Sequence, residues 1–384
     1  MHKKQNILYA FLLFLIYISI GIFNYLVDPY DIFHKKPTSI RISKYPRELY
    51  SSILKLSKNN IYKHVVIGSS TAKQLLNDNV YPFFEEDKQT LYITTDNFDY
   101  YNQIKYLDFL LKINPEIENI IITIEYPFFS TKRNFKQINI PSNEKLGIKE
   151  QYDLLFSMET IKRSYKKLKG EQEKDTKGTN KNITITTNIN WGKEQYKVFY
   201  KRNFHNGFLI DYNENDYSEF EKLQKITENR NLIFIFPPYH ALLQGIIYIK
   251  NQHKKVENIK QYMVNKFPNA KIIDFAFINK YTAEPLETTD NYTDIIHPLG
   301  HVGHIFYCSL MYQKEFEDKD IFVYLSKENI DNILEEQNEK LKNYTNKNMK
   351  IITEFMKNQN KDKNLYINKE FTPPKNCNYY LKNI

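Results

Sequence analysis

Two short stretches more than 200 residues apart carry the residue types of nucleophilic catalysis. One is Val66-Ile67-Gly68-Ser69-Ser70 and the other is Tyr292-Thr293-Asp294-Ile295-Ile296-His297-Pro298. A serine hydroxyl attacks poorly until an imidazole takes its proton and an anion holds that imidazole in the right tautomer. Ser70, His297 and Asp294 are therefore the candidate nucleophile, base and orienting carboxylate of a Ser/His/Asp hydrolase or acyltransferase. Asp294 and His297 stand three apart, a separation at which two side chains on one turn converge on one spot. Each half also has a purely structural reading. Gly-Ser-Ser serves as a turn or helix cap, and Asp-x-x-His as a surface pair.

The elements that must position these residues are legible around them. Gly68-Ser69-Ser70 follows the apolar run Val65 to Ile67 and precedes Ala72-Lys73-Gln74-Leu75-Leu76, which reads as strand, tight turn and helix start. That puts a hydroxyl at the carboxyl end of a strand, where α/β proteins carry their sites. Candidate strands run Lys63 to Ile67, Thr90 to Thr94, Asn119 to Glu125, Asn231 to Phe236 and Lys271 to Asp274. Amphipathic helices are expected over Tyr101 to Ile113, Lys149 to Leu168, Glu219 to Asn229 and Val256 to Phe267. Strands alternating with helices predict a five-stranded parallel sheet covered on both faces. Tyr239 and His240 end the fourth strand and Glu125 ends the third, so all three could line the same cleft or simply support it.

His297, His301 and His304 admit a second chemistry, because spacings of four and three can gather imidazoles on one helix face for a metal. Pro298 and Gly300 favour instead a turn after His297 and an ordinary helix beginning near Gly300. No metal is assigned, and acyl transfer by a serine triad calls for no cofactor.

Length and composition allow one large or two ordinary domains among 384 residues. The net charge of +9 comes from lysines spread along the whole chain, which argues against a nucleic-acid surface. The same charge would help at an anionic membrane or polymer. The two cysteines, Cys308 and Cys377, fit no metal spacing and no dense disulfide framework.

Gln5 to Val27 contains no charged side chain and is long enough to cross about 30 Å of hydrocarbon as a helix. The reading is one transmembrane anchor within residues 1–30 and a Pro-containing juxtamembrane segment at 31–59. An α/β domain follows at 60–315, interrupted by a polar insertion at about 169–193, and a charged, partly helical tail covers 316–384. Basic residues flank the anchor on both sides, so charge does not decide its orientation.

The order of anchor, Asp28-Pro29-Tyr30, Ile67-Gly68-Ser69-Ser70, Pro237-Pro238-Tyr239-His240 and Asn291-Tyr292-Thr293-Asp294-Ile295-Ile296-His297 resembles the membrane-anchored SGNH/GDSL-like proteins. The DltD and alginate-acetylation proteins are relatives within that group. The resemblance runs from about Tyr25 to Tyr312 and implies a flavodoxin-like three-layer α/β/α fold with an extracytoplasmic (periplasmic) catalytic domain. It implies Ser70 as nucleophile and Asp294 and His297 as its partners, with Gly68 and Ser69 in the turn. The implied activity is acyl modification of a surface glycan or cell-wall polymer, together with a multi-spanning membrane acyltransferase as partner. The chain departs from the pattern where the family carries its oxyanion glycine and asparagine. It reads Thr94-Thr95-Asp96-Asn97-Phe98 after the second strand and Glu125-Tyr126-Pro127-Phe128 after the third. Asn97 and the Ser70 backbone N–H are the remaining candidate donors, and Asp96 would oppose an oxyanion. The alternative is a non-catalytic member that binds a glycan or assembles a surface-polymer modification system.

Overall fold

The computed structural model describes residues 2–30, 33, 62–76, 90–94, 99–126, 148–169, 217–284, 291–292, 295–298, 300–313 and 320–357. Its centre is a mostly parallel sheet. The strands are β1 (His64–Gly68), β2 (Thr90–Thr94), β3 (Asn119–Thr123), β4 (Asn231–Phe236), β5 (Lys271–Asp274) and β6 (Val323–Leu325). They lie in the order β2-β1-β3-β4-β5-β6, with the first five parallel and β6 antiparallel to β5. The expected sheet of five strands thus gains a sixth, added at its edge from the segment read as a tail. Three residues are too short to carry a period, so β6 gives no alternation to read.

Successive strand side chains point to opposite faces, and this chain fills both with apolar residues. Val65, Ile67, Ile120, Ile122, Phe234, Phe236 and Ile272 join one core. Val66, Ile121, Ile233, Ile235 and Ile273 join the other. Near-continuous apolar runs of this kind suit strands covered on both sides. The first face is covered by α3 (Tyr100–Ile113), α6 (Ser218–Ile226), α7 (Ala241–Ile249), α8 (His253–Lys266) and α10 (Ile330–Lys347). The second is covered by α2 (Ser70–Leu76) and α9 (Gly300–Met311), which pack on each other. The last helix among the described residues, α11 (Met349–Lys357), packs on α7.

Local chemistry sets several of these boundaries. Asp99 caps α3 by accepting the Asn102 N–H at 2.8 Å. The helix expected over Lys149 to Leu168 is two helices, α4 (Ile148–Phe156) and α5 (Met158–Leu168). Ser157 divides them by taking an extended conformation and accepting the Thr160 N–H at 3.1 Å as an N-cap.

The N-terminal helix, α1 (His2–Val27), is the one helix among the described residues long and apolar enough to cross a membrane. It stops at Asp28, whose φ of 47° turns the chain out of the helix. The juxtamembrane segment at 31–59 lies outside the described residues except for Phe33, as does the insertion at 169–193 beyond Lys169.

Candidate active site

Parallel register brings the carboxyl ends of β1, β3 and β4 level. Ile67 pairs with Ile122, and Thr123 pairs with Ile235. The residues just past these ends therefore share one edge of the sheet. β1 has β2 on one side and β3 on the other, so the chain order reverses there, which opens a crevice outside the strand ends. Ser69 and Ser70 follow β1, Glu125 follows β3, and His240 follows β4.

The two adjacent serines have separate partners. Ser70 opens α2, is partly exposed, and its Oγ lies 2.8 Å from His297 Nε2, although the two residues are 227 positions apart. Ser69 is buried, donates from its Oγ to Glu125 Oε1, and accepts the Thr71 N–H at 3.3 Å. The turn that presents both needs Gly68. A Cβ there would stand 2.3 Å from Thr123 Oγ1 and 2.5 Å from the Ala72 Cβ.

Glu125 lies beneath the crevice at 2% exposure. Its carboxyl accepts the hydroxyls of Ser69, of Thr71 at 3.0 Å and of Thr123 at 3.4 Å. Its main chain is fixed as well. The Tyr100 hydroxyl donates to the Glu125 carbonyl at 2.9 Å and approaches the Glu125 N–H. Burial pushes the Glu125 carboxyl above the usual carboxylate range, while the Ser69 and Thr71 hydroxyls and the charge of His297 pull it back.

His297 is held from behind. A bridge between Tyr292 and Pro298 closes the loop that carries it, and the His240 N–H donates to the Ile295 carbonyl at 3.2 Å. The His240 ring caps α7 by accepting the Leu242 N–H at Nδ1, and donates from Nε2 to the Glu284 carbonyl at 2.8 Å. Its edge meets the Tyr292 ring at 5.3 Å. Burial lowers its pKa to about 4, opposed by the hydrogen bond to the Glu284 carbonyl. His240 is thus a neutral support for the loop bearing His297. Tyr239 is fully buried against Tyr126, at 5.3 Å between rings.

A buried imidazole bonded to a partly exposed hydroxyl at a strand-end crevice is an arrangement for general-base activation of a serine. No family model, curated protein or solved structure matches this chain. The reading of the site therefore rests on its own geometry.

Of the residues singled out in the sequence, Gly68, Ser69, Ser70 and His297 share this edge with Glu125. Asp294, Asn97 and Asp96 lie outside the described residues. His304 sits on α9, stacked on Tyr307 at 5.8 Å, and the side chain of His301 lies outside the described residues. Among the described residues no three His, Cys, Asp or Glu side chains gather as a metal site would require. The hydroxyls of Thr71 and Thr123 were not foreseen. Their signal was faint: a threonine one past the Gly-Ser-Ser turn, and another two before a strand-end glutamate.

Proposed function

We propose that this protein is a membrane-anchored esterase or O-acyltransferase that uses Ser70 as nucleophile and His297 as base. The observation that carries the reading is the 2.8 Å contact between Ser70 Oγ and His297 Nε2 across most of the chain. In the first step Nε2 takes the Ser70 proton while Oγ bonds to the carbonyl carbon of an acyl ester. Collapse of the tetrahedral adduct breaks the ester C–O bond, and His297 returns the proton to the departing alkoxide. Water or a sugar hydroxyl, deprotonated by His297, then attacks the acyl-serine, and collapse of this second adduct breaks the acyl–Oγ bond as His297 returns the proton to Ser70. Asp294, three residues before His297, is assigned to the Nδ1–H. The Ser70 N–H and Asn97 are assigned to the oxyanion, and loss of one such donor typically costs about 10²- to 10³-fold in rate.

The strand order 2-1-3-4-5 of the parallel part is that of flavodoxin-like doubly wound sheets. With the Ile67-Gly68-Ser69-Ser70 and Asp294-x-x-His297 motifs, it supports an SGNH-type fold. The apolar α1 supports a single-pass membrane protein, and the same resemblance supports an extracytoplasmic domain acting on a surface glycan or cell-wall polymer. Glu125 favours a second reading. An ionised carboxylate accepts hydrogen bonds and donates none, so Glu125, bonded to the hydroxyls of Ser69, Thr71 and Thr123, offers no donor to an oxyanion. A non-catalytic glycan-binding or assembly role would tolerate that.

Labelling of the detergent-solubilised full chain by a serine-reactive fluorophosphonate distinguishes the two. The catalytic reading expects labelling of the wild type that is lost in Ser70→Ala and His297→Ala. A wild type that stays unlabelled, or labelling that survives Ser70→Ala, sinks it.

A further inference from the structure

Helices α4 and α5 pack chiefly on the anchor, and Leu154 of α4 also joins the core on the first face of the sheet. The side of α1 carrying Tyr17, Gly21, Asn24 and Asp28 recurs every three to four residues and is covered by them. The Phe156 ring stacks on Tyr17 at 4.4 Å, and a Cβ on Gly21 would stand 2.5 Å from it. Asn24 is fully buried, donating to the Leu155 carbonyl at 2.5 Å and accepting the Ser164 hydroxyl at 2.7 Å. Tyr30 meets Thr160 at 3.3 Å, and Lys167 donates to the Asp28 carbonyl. The opposite side of α1, with Ile18, Ile22, Tyr25 and Leu26, stays exposed to the end of the helix. One side of this helix end thus meets protein and the other is apolar and open.

The outer surface of α5 is apolar and basic at once. Met158, Ile161, Tyr165 and Leu168 recur at the spacing of one helix stripe. Met158, Tyr165 and Leu168 are 68%, 56% and 63% exposed. Lys162, Lys166 and Lys169 are exposed around them, and Lys169 Nζ sits 4.6 Å from the centre of the Tyr165 ring. Residues 158–169 hold five basic side chains against one acid, Glu159.

We propose that α5, with the exposed edge of α4, is a second membrane contact that lies in the headgroup and acyl boundary of an anionic phospholipid leaflet beside the anchor. The proposal rests on α1 being a membrane helix. Depth agrees, because α5 touches α1 at its last turn and the residues just after it. Phe156 of α4 reaches Gly21 and Tyr17, six and ten residues in from the end of α1, about 9 and 15 Å of helix rise, so α4 dips deeper, while α5 stays at the helix end within the roughly 5–10 Å that interfacial helices penetrate. Charge agrees too, since lysines around an apolar stripe place their stems along the acyl chains and their ammonium groups at phosphates. The contact would hold the anchor's end at two points and stop the catalytic domain from swivelling about a single helix.

The test uses the full chain reconstituted in phosphatidylcholine vesicles with and without phosphatidylglycerol. The one native tryptophan is removed by Trp191→Phe, and a reporter is introduced by Tyr165→Trp, by Leu12→Trp on the exposed face of α1, or by Tyr101→Trp on α3. With brominated acyl chains the reporters of Tyr165→Trp and Leu12→Trp should be quenched at least about twofold, and that of Tyr101→Trp should not. Lys162→Glu, Lys166→Glu and Lys169→Glu together should abolish the added quenching at Tyr165→Trp that phosphatidylglycerol brings. If Leu12→Trp is quenched while Tyr165→Trp is reached only by aqueous acrylamide, the α5 contact is overturned and the anchor stands. A patch that belongs to a protein partner gives this same result. If neither is quenched by lipid, the membrane reading of α1 falls and the proposal with it.

Discussion

Adjacent serines with opposite duties are the residue-scale signature of this site. Ser70 faces the crevice and His297, while Ser69 turns inward to Glu125. On the catalytic reading, Ser70→Ala should lower turnover of a soluble acyl ester by at least about 10³-fold, whereas Ser69→Ala should act chiefly on stability, measured by thermal unfolding. Glu125 makes a pH-dependent prediction. Its folded-state pKa is raised by burial, so its contribution to stability is fully present below the ordinary carboxylate range and is lost as pH rises through the raised value. Wild type should therefore lose melting temperature relative to Glu125→Gln as pH rises from about 4.5 towards neutrality. A gap that does not change with pH would mean that folding leaves this carboxyl's titration unchanged. His240 has the opposite sign. Its pKa falls from 6.5 to about 4, so stability present above 6.5 is lost as pH drops through 4. The linked loss is about 3 kcal/mol, and His240→Asn, which keeps a capping side chain, should remove most of it in unfolding curves taken across that window. The serine, the histidine and the turn glycine could be read directly from residue type and spacing. The hydroxyl cage of Glu125 could not, because its members come from two strand ends whose register only the folded sheet defines.

At the scale of elements, β1 and α2 are joined with no slack. Gly68→Ala places a methyl group against Thr123 and Ala72, and overpacking of this kind costs about 1–3 kcal/mol. The variant should melt lower, and should also lose fluorophosphonate labelling faster than its stability falls, because α2 must shift and carry Ser70 with it. Strands β1 to β5 were legible, since each is a short apolar run bounded by breakers, and their observed limits differ from the expected ones by at most two residues. Helix α7 was not among the expected helices, because its almost wholly apolar run shows no polar face, while the amphipathic helices were legible from periods of three to four. The division at Ser157 was not, because a serine inside an amphipathic pattern reads equally well as a polar helix position or as a cap.

For the whole molecule, residues 320–357 close the sheet edge and clamp one face. Lys260 on α8 and Asp274 at the end of β5 form a buried pair at 2.6 Å, and Gln337 on α10 bonds to both. The sequence of 316–384 reads as a charged, partly helical tail, and its part in this cluster was not legible because Gln337 looks in sequence like any solvated helix residue. Lys260→Ala should cost about 3–5 kcal/mol in chemical denaturation by stranding the Asp274 carboxylate. Asp274→Asn combined with Lys260→Met should recover much of that loss. The 227 positions between Ser70 and His297 also set an order in time. At about 5–20 residues per second, the ribosome releases the nucleophile roughly 10–45 s before its base. Until His297 arrives the serine has no general base, so on the catalytic reading a nascent or truncated chain is inert towards esters, and reactivity first appears once the chain has been synthesised beyond β5 and through His297.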